Sequence, residues 1–385
     1  MTLRAAALFR NHFGDATGAV VARAPGRVNL LGEPTSFNDG YVLSSTIDRH
    51  VEVVARRRDD NQVRIAAADL GERRDNDLDQ PIDYANSGWL PHVMGVVHEL
   101  AQRGRVESGV DIVFRSSLPC DADLGWSGAL EVATALAVDA IFNLWLNPVD
   151  LIVLCRDVDH RYAGGRDGVV DQFVSRLGRP DHALFVDCRS LDARHVPMRL
   201  EGHRLVIVDS GVRDDSAEVG LDQRHTECEQ AVMILRATDA SITSLRDVAP
   251  ATLSAEESRL TPDLLARCRH VTGENRRALE ACERLAADDL EAFGRLLVAS
   301  HLSLRNDFEI SHPALDRLVE EAREVEGVHG ARLIGSGFGG RTVHLAAEAA
   351  LPALQERLGP LLDDWSQQAI VLGAPEKARV TEVIA

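Results

Sequence analysis

The chain opens on a helical rhythm, because residues 3–13 space their apolar side chains along one face, and this predicts an amphipathic helix. A strand around Val20–Arg23 follows and leads into Ala24–Leu43, APGRVNLLGEPTSFNDGYVL, where an apolar run with the look of a buried strand breaks into a polar segment. Gly32, Pro34, Asn38, Asp39 and Gly40 punctuate that segment, so it reads as strand, turn and binding loop. In Ile47–Arg56 and Gln62–Ala67 β-branched residues recur at period two, which predicts adjacent strands with one buried face. Residues 87–103 carry apolar positions at helical spacing behind an early proline, with Trp89 assigned to the core. A further strand ends at Pro119, and a long apolar helix runs through about Leu146. Near residue 195 the pattern restarts with the strand LVIVDS, residues 229–310 are mostly helical, and a glycine-rich turn lies between strand-like runs in 330–345. The tail from 348 to 385 predicts a helix and a closing strand near TEVIA.

At 385 residues the chain exceeds one ordinary core and suits two domains, drawn here as 1–195 and 196–385. A formal charge of -18 argues against nucleic acid or an anionic membrane as partner, since there is no basic excess to release counterions. A small-molecule ligand fits better; oligomeric state is not given by the sequence. The six cysteines are widely spaced without a CxxC pair, which reads as reduced core thiols and no metal knuckle. The N-terminal apolar patch is too short for a signal peptide, so the expected location is cytoplasmic. His301 and His312 show no metal-ligand spacing and are read as structural.

Residues 24–43 resemble the signature of galactokinases, sugar kinases of the GHMP superfamily, whose usual form is GRVNLIGEHTDYNGGYVLP. The resemblance implies that Arg27 assists phosphoryl transfer and Glu33 binds the sugar; the family His and Asp are here Pro34 and Ser36. LPCDADLGWSGALEVA, 118–133, is similar to the family phosphate loop PLGAGLSSSASLEVA, in which glycine amides and a helix N-terminus face phosphates. It implies ATP at Asp121, Ala122, Asp123, Gly125 and Ser127, with Mg2+ at Ser127 and Glu131. Asp121 and Asp123 replace two glycines; a carboxylate about 5 Å from one phosphate charge costs roughly 3 kcal/mol at an effective dielectric near 20. HRYAGGRDGVVDQFVSRLGRPDHALFVDCRSL, 160–191, resembles the family segment that supplies the catalytic aspartate, here Asp171, and a glycine beside the sugar, here Gly168. Leu221 stands where the family has a sugar-contacting tyrosine, and GARLIGSGFGGRTVHL brings Gly337 in the third family motif.

The similarity runs from about residue 8 to 347 and implies an α+β, two-domain GHMP kinase fold with the active site in the inter-domain cleft. Two functions stay open. One is a sugar 1-kinase that uses ATP and Mg2+ on the anomeric hydroxyl of a sugar other than ordinary galactose. The other is a homologue that has given up ATP and binds a sugar or sugar phosphate as a regulator or with altered chemistry.

Overall fold

Alternating and periodic patterns become the expected elements. The structure, a computed structural model, describes residues 2–80, 84, 88–120, 123–165, 169–214, 216–373 and 377–384. In chain order these hold α1 (Thr2–Phe13), β1 (Val20–Leu31), β2 (Tyr41–Arg57), β3 (Gln62–Ala67), β4 (Glu72–Asp77), α2 (Leu90–Gln102) and β5 (Val110–Ser116). Next come α3 (Trp126–Phe142), α4 (Pro148–Val158), α5 (Val170–Leu177), β6 (His182–Asp187), β7 (Ala193–Pro197), β8 (His203–Asp209), α6 (Ala217–Arg236), α7 (Pro250–Glu256) and α8 (Pro262–Ala286). The last are α9 (Leu290–Ser303), α10 (Pro313–Arg323), β9 (Val328–Ile334), β10 (Arg341–Ala347), α11 (Leu351–Leu358), α12 (Trp365–Gln368), β11 (Ala369–Val371) and β12 (Arg379–Val383).

The chain divides into two compact units, Met1–Arg27 with Thr46–Pro180 and Pro375–Ala385, and Val28–Ser45 with Asp181–Ala374. These differ from the contiguous 1–195 and 196–385 halves drawn from the sequence. Strand pairing is the reason: β12 joins the first unit by pairing antiparallel with the start of β1, while Tyr41–Ser44 pair with β6, which pairs with β7, in the second.

In the first unit the strand order is β12-β1-β2-β5-β3-β4. The expected adjacency of β2 and β3 is therefore corrected, since β5 lies between them, antiparallel to β2 and parallel to β3. Asp111 on β5 explains the insertion: it is fully buried and accepts hydrogen bonds from Arg56 at 3.1 Å, Arg58 at 3.0 Å and Arg64 at 2.6 Å. Burial alone would raise that carboxyl, but the surrounding guanidiniums hold it below its ordinary value. On one side of the sheet α1 packs Ala5, Ala6 and Phe9 against Val21, Val54 and Val113. The apolar helix α3 is buried from Gly128 to Val138 and touches α2, α4 and α5, as a helix without a polar face must.

The second unit contains the antiparallel sheet β11-β8-β10-β9, whose Val206, Val208 and Ala331 pack with Leu318 of α10 and Leu354 of α11. A second cluster joins Cys228 and Leu235 of α6 to Leu264, Leu265 and Val271 of α8. Thr261 accepts from Leu264 N at α8, and Pro262 occupies its first turn, where no amide donor is needed. His312 does the same work for α10, accepting from Ala314 N at 3.1 Å, and His301 accepts from Leu333 N, so both are structural. All six cysteines are free; four are buried and Cys120 is exposed.

Candidate active site

In the first unit Arg27 is the hub. Its amide donates to Leu124 O at 2.8 Å, tying the loop before α3 to β1. Its side chain donates from Nη1 to Asp123 O at 2.6 Å and from Nε to Asp171 Oδ1 at 2.8 Å. Asp171 is the second residue of α5, in the first turn of that helix. A cavity of about 660 Å³ is lined by Arg27, Asp123, Gly125, Ser127 and Asp171, all expected from the sequence, together with Arg74, Trp89 and His92. Asp121, Ala122 and Gly168 lie outside the described residues. Trp89 is buried against Phe114 as a core residue, while its indole N–H donates to Glu72 Oε2 at 2.9 Å at the cavity wall.

Two glycines bring the start of α3 onto the pair. A Cβ on Gly125 would stand 2.9 Å from Arg27 Cγ, and one on Gly128 2.7 Å from Asp171 Cβ and 3.1 Å from its backbone carbon. Gly125 also has φ 70°, the left-handed region glycine favours. Gly128→Ala should therefore push Asp171 away from Arg27 and cut turnover about 100-fold, the scale of a 1 Å misplacement. Steady-state kinetics with the melting curve decides; unchanged kcat would mean α5 yields freely.

Glu131, expected at the metal with Ser127, does not line the cavity. It is fully buried, 2.8 Å from His92 Nδ1 and accepting from Gln172 Nε2 at 2.8 Å. Burial pushes its carboxyl well up and the His92 imidazole down. One ligand atom each from His92, Glu131 and Asp159 lies within 4.8 Å of the others, an arrangement able to hold a cation. His92 and Asp159 carried no motif of their own; only their closeness to Glu131 marks them.

The donor set fits the expected cofactors. Ser127 and Asp171 offer hard oxygens for Mg2+, Arg27 and Arg74 offer charge for phosphates, and α3 starts at the wall. Asp123 is exposed, so solvent screens its carboxylate.

In the second unit the carboxylate of Glu33 is 6% exposed and is met by the Arg332 guanidinium and, at 2.8 Å, by Gly335 N. Its carbonyl faces His270 Nε2 at 3.0 Å, and Gly32 N donates to Glu274 at 2.9 Å. Ser36 opens a short 3-10 turn, and Leu221 is half-buried with Phe37 and Phe338 against the α6–α8 cluster. Gly337 is held by packing, since a Cβ there would stand 2.3 Å from Ile310 O.

This buried network sets an acid limit. Burial holds the His270 imidazole down at about 4 against the pull of Glu274. For Glu274 burial acts upward, and Arg277 and Arg332 outweigh it, holding the carboxyl at about 2. From pH 6.5 to 4 the unfolded chain carries the His270 proton and the folded one does not, so stability falls with pH by roughly 3 kcal/mol. Glu274 adds a second loss from about pH 4.3 downward, as its folded carboxylate resists protonation. Urea melts across this range should show the first loss reduced in His270→Gln; equal slopes in both proteins would refute the assignment.

Comparison with known proteins follows the same lines. Residues 7–57 match the galactokinase galactose-binding signature, 91–179 the GHMP kinases N terminal domain and 278–360 the GHMP kinases C terminal domain. The chain is 40% identical to a galactokinase of Roseiflexus sp., over 92% of this chain and 90% of that one. It is also 40% identical to a galactokinase of Chloroflexus aurantiacus, over 89% and 87%. The structure superposes on Lactococcus lactis galactokinase complexed with galactose with a TM-score of 0.90 and 28% identity, covering 98% and 100% of the two chains. A mevalonate kinase shares the fold, with a TM-score of 0.67 and 18% identity over 93% of this chain and 100% of that one. Fold and motifs are those of a GHMP kinase. The chain belongs to the galactokinase family, as a galactokinase-like sugar kinase. Among the described residues no helix is long and apolar enough to cross a membrane.

Proposed function

We propose that this chain phosphorylates the anomeric hydroxyl of a hexose from ATP with Mg2+. The observation that carries this is the Arg27–Asp171 pair at 2.8 Å on the wall of a cavity that Ser127 and the start of α3 also line. When bound, ATP supplies the phosphoryl group and Mg2+ neutralises its charge. Asp171 would orient the acceptor hydroxyl and accept its proton, Arg27 would fix that carboxylate and face the transferring charge, and Ser127 would hold the cation. Glu131 would act from behind, with His92 and Asp159. The sequence pointed to an acceptor other than ordinary galactose through Pro34, Ser36 and Leu221. The relatives do not support that, and galactose is the acceptor proposed. They do not favour a regulator without nucleotide either.

The test is calorimetry with Mg-ATP followed by phosphorus NMR of a reaction with galactose. Galactose 1-phosphate is expected; its absence at saturating Mg-ATP would overturn the reading. Asp123→Asn should tighten ATP about fourfold, since in water a charge about 5 Å away costs only about 0.8 kcal/mol. Weaker binding instead would show that this carboxylate helps to hold the cation.

A further inference from the structure

The sheet of the second unit places two histidines where nothing in the proposed reaction needs them. His203 is the first residue of β8 and His329 the second of β9, with β10 between these strands. Strands two apart are about 9.5 Å from each other, a gap that two imidazoles can span if the middle strand keeps clear. It does, because β10 presents Ala347 opposite His203 and Ala346 opposite Val328. The rings meet with Nε2 3.0 Å from Nε2. His203 Nδ1 is 2.9 Å from Glu201 O, and only an N–H can face a carbonyl at that distance, so Nδ1 carries the proton and Nε2 presents a lone pair to its neighbour. Both side chains are part-exposed and open to solutes. Helix α9 sets its Gly294 against the His329 backbone, where a Cβ would stand 2.2 Å from the carbonyl oxygen. Burial and the neighbouring His203 hold the His329 imidazole below its ordinary value, with Glu291, one turn before Gly294, acting weakly the other way.

We propose that His203 and His329 form a binding site for a borderline divalent cation of the zinc, nickel or copper class, separate from the kinase centre. Imidazole nitrogens suit that class and not Mg2+. Two nitrogens on one tetrahedral zinc lie about 3.3 Å apart at bond lengths near 2.0 Å, so the pair needs a shift of a few tenths of an ångström. Water would supply the remaining positions.

The experiment is calorimetric titration of ZnCl2 into the full chain in excess Mg2+, comparing wild type with His203→Gln and His329→Gln. Glutamine keeps the size and a hydrogen bond but removes the imidazole ligand. Wild type should bind one equivalent that both variants lack, and Cys120→Ser should retain it. Equal stoichiometry and affinity in all four proteins would overturn the proposal. Substoichiometric NiCl2 added to wild type gives a reading that needs no variant to fold. It should broaden the His203 and His329 imidazole signals first, and broadening confined to other residues would also overturn it.

Discussion

Asp171→Ala is expected to lower kcat about 10²- to 10⁴-fold on galactose with Mg-ATP, the range a positioned proton acceptor supplies, while the fold persists. Asp171 is part-exposed at the start of a short helix, so its truncation opens no core cavity and the melting temperature should move little. The loss should fall on kcat more than on KM, because orientation of the acceptor hydroxyl matters most as the bond forms. Arg27 donates through Nε to this carboxylate and through Nη1 to Asp123 O, so Arg27→Ala should produce a comparable loss. The double variant should then be little worse than either single one, since residues acting as a unit are non-additive. Asp171→Asn keeps the size and the link to Arg27 but not the basicity, so it should resemble the alanine variant. Full turnover in Asp171→Asn would show that the carboxylate only positions Arg27 and takes no proton.

How far this site was legible depends on which interactions made it. Arg27, Asp123, Gly125, Ser127 and Asp171 stood in motifs of fixed order, and all line one cavity. The long helices and most strands followed from period, which local sequence carries directly. What escaped was tertiary. The insertion of β5 between β2 and β3 depends on Asp111 collecting arginines from both neighbours, which no window of sequence displays. The family resemblance placed Glu131 at the metal with Ser127, yet its side chain is sealed against His92 and Gln172. Gly128 belongs to no reading of the sequence, and only the approach of Asp171 gives it a role. The exposure of Asp123, and hence its screening, is a property of the folded surface.

The largest expected change in stability comes from Arg332→Met. Arg332 is fully buried, yet its guanidinium has a partner on every side: Leu333 O at 2.6 Å, Leu30 O at 3.0 Å, the Glu33 carboxylate, and Glu274 Oε1 at 3.8 Å. A buried cation satisfied in this way adds little over a well-packed apolar side chain, but removing it alone leaves two carboxylates short of charge. Glu274 keeps Arg277, whose Nε donates to it at 2.6 Å, whereas Glu33 keeps the Gly335 amide and an Asn29 amide at 3.3 Å. Breaking a buried pair costs about 3–5 kcal/mol, a large part of the roughly 5–15 kcal/mol that holds a domain folded. Urea melts should show that loss, and Glu33→Gln added to Arg332→Met should recover part of it, because a neutral amide no longer needs the missing cation. The double variant should still bind galactose poorly, as Arg332 also ties down the Leu30 carbonyl at the root of the binding loop. A loss below about 1 kcal/mol in the single variant would mean that water or Arg277 replaces the guanidinium, and that the loop is held by its backbone contacts instead.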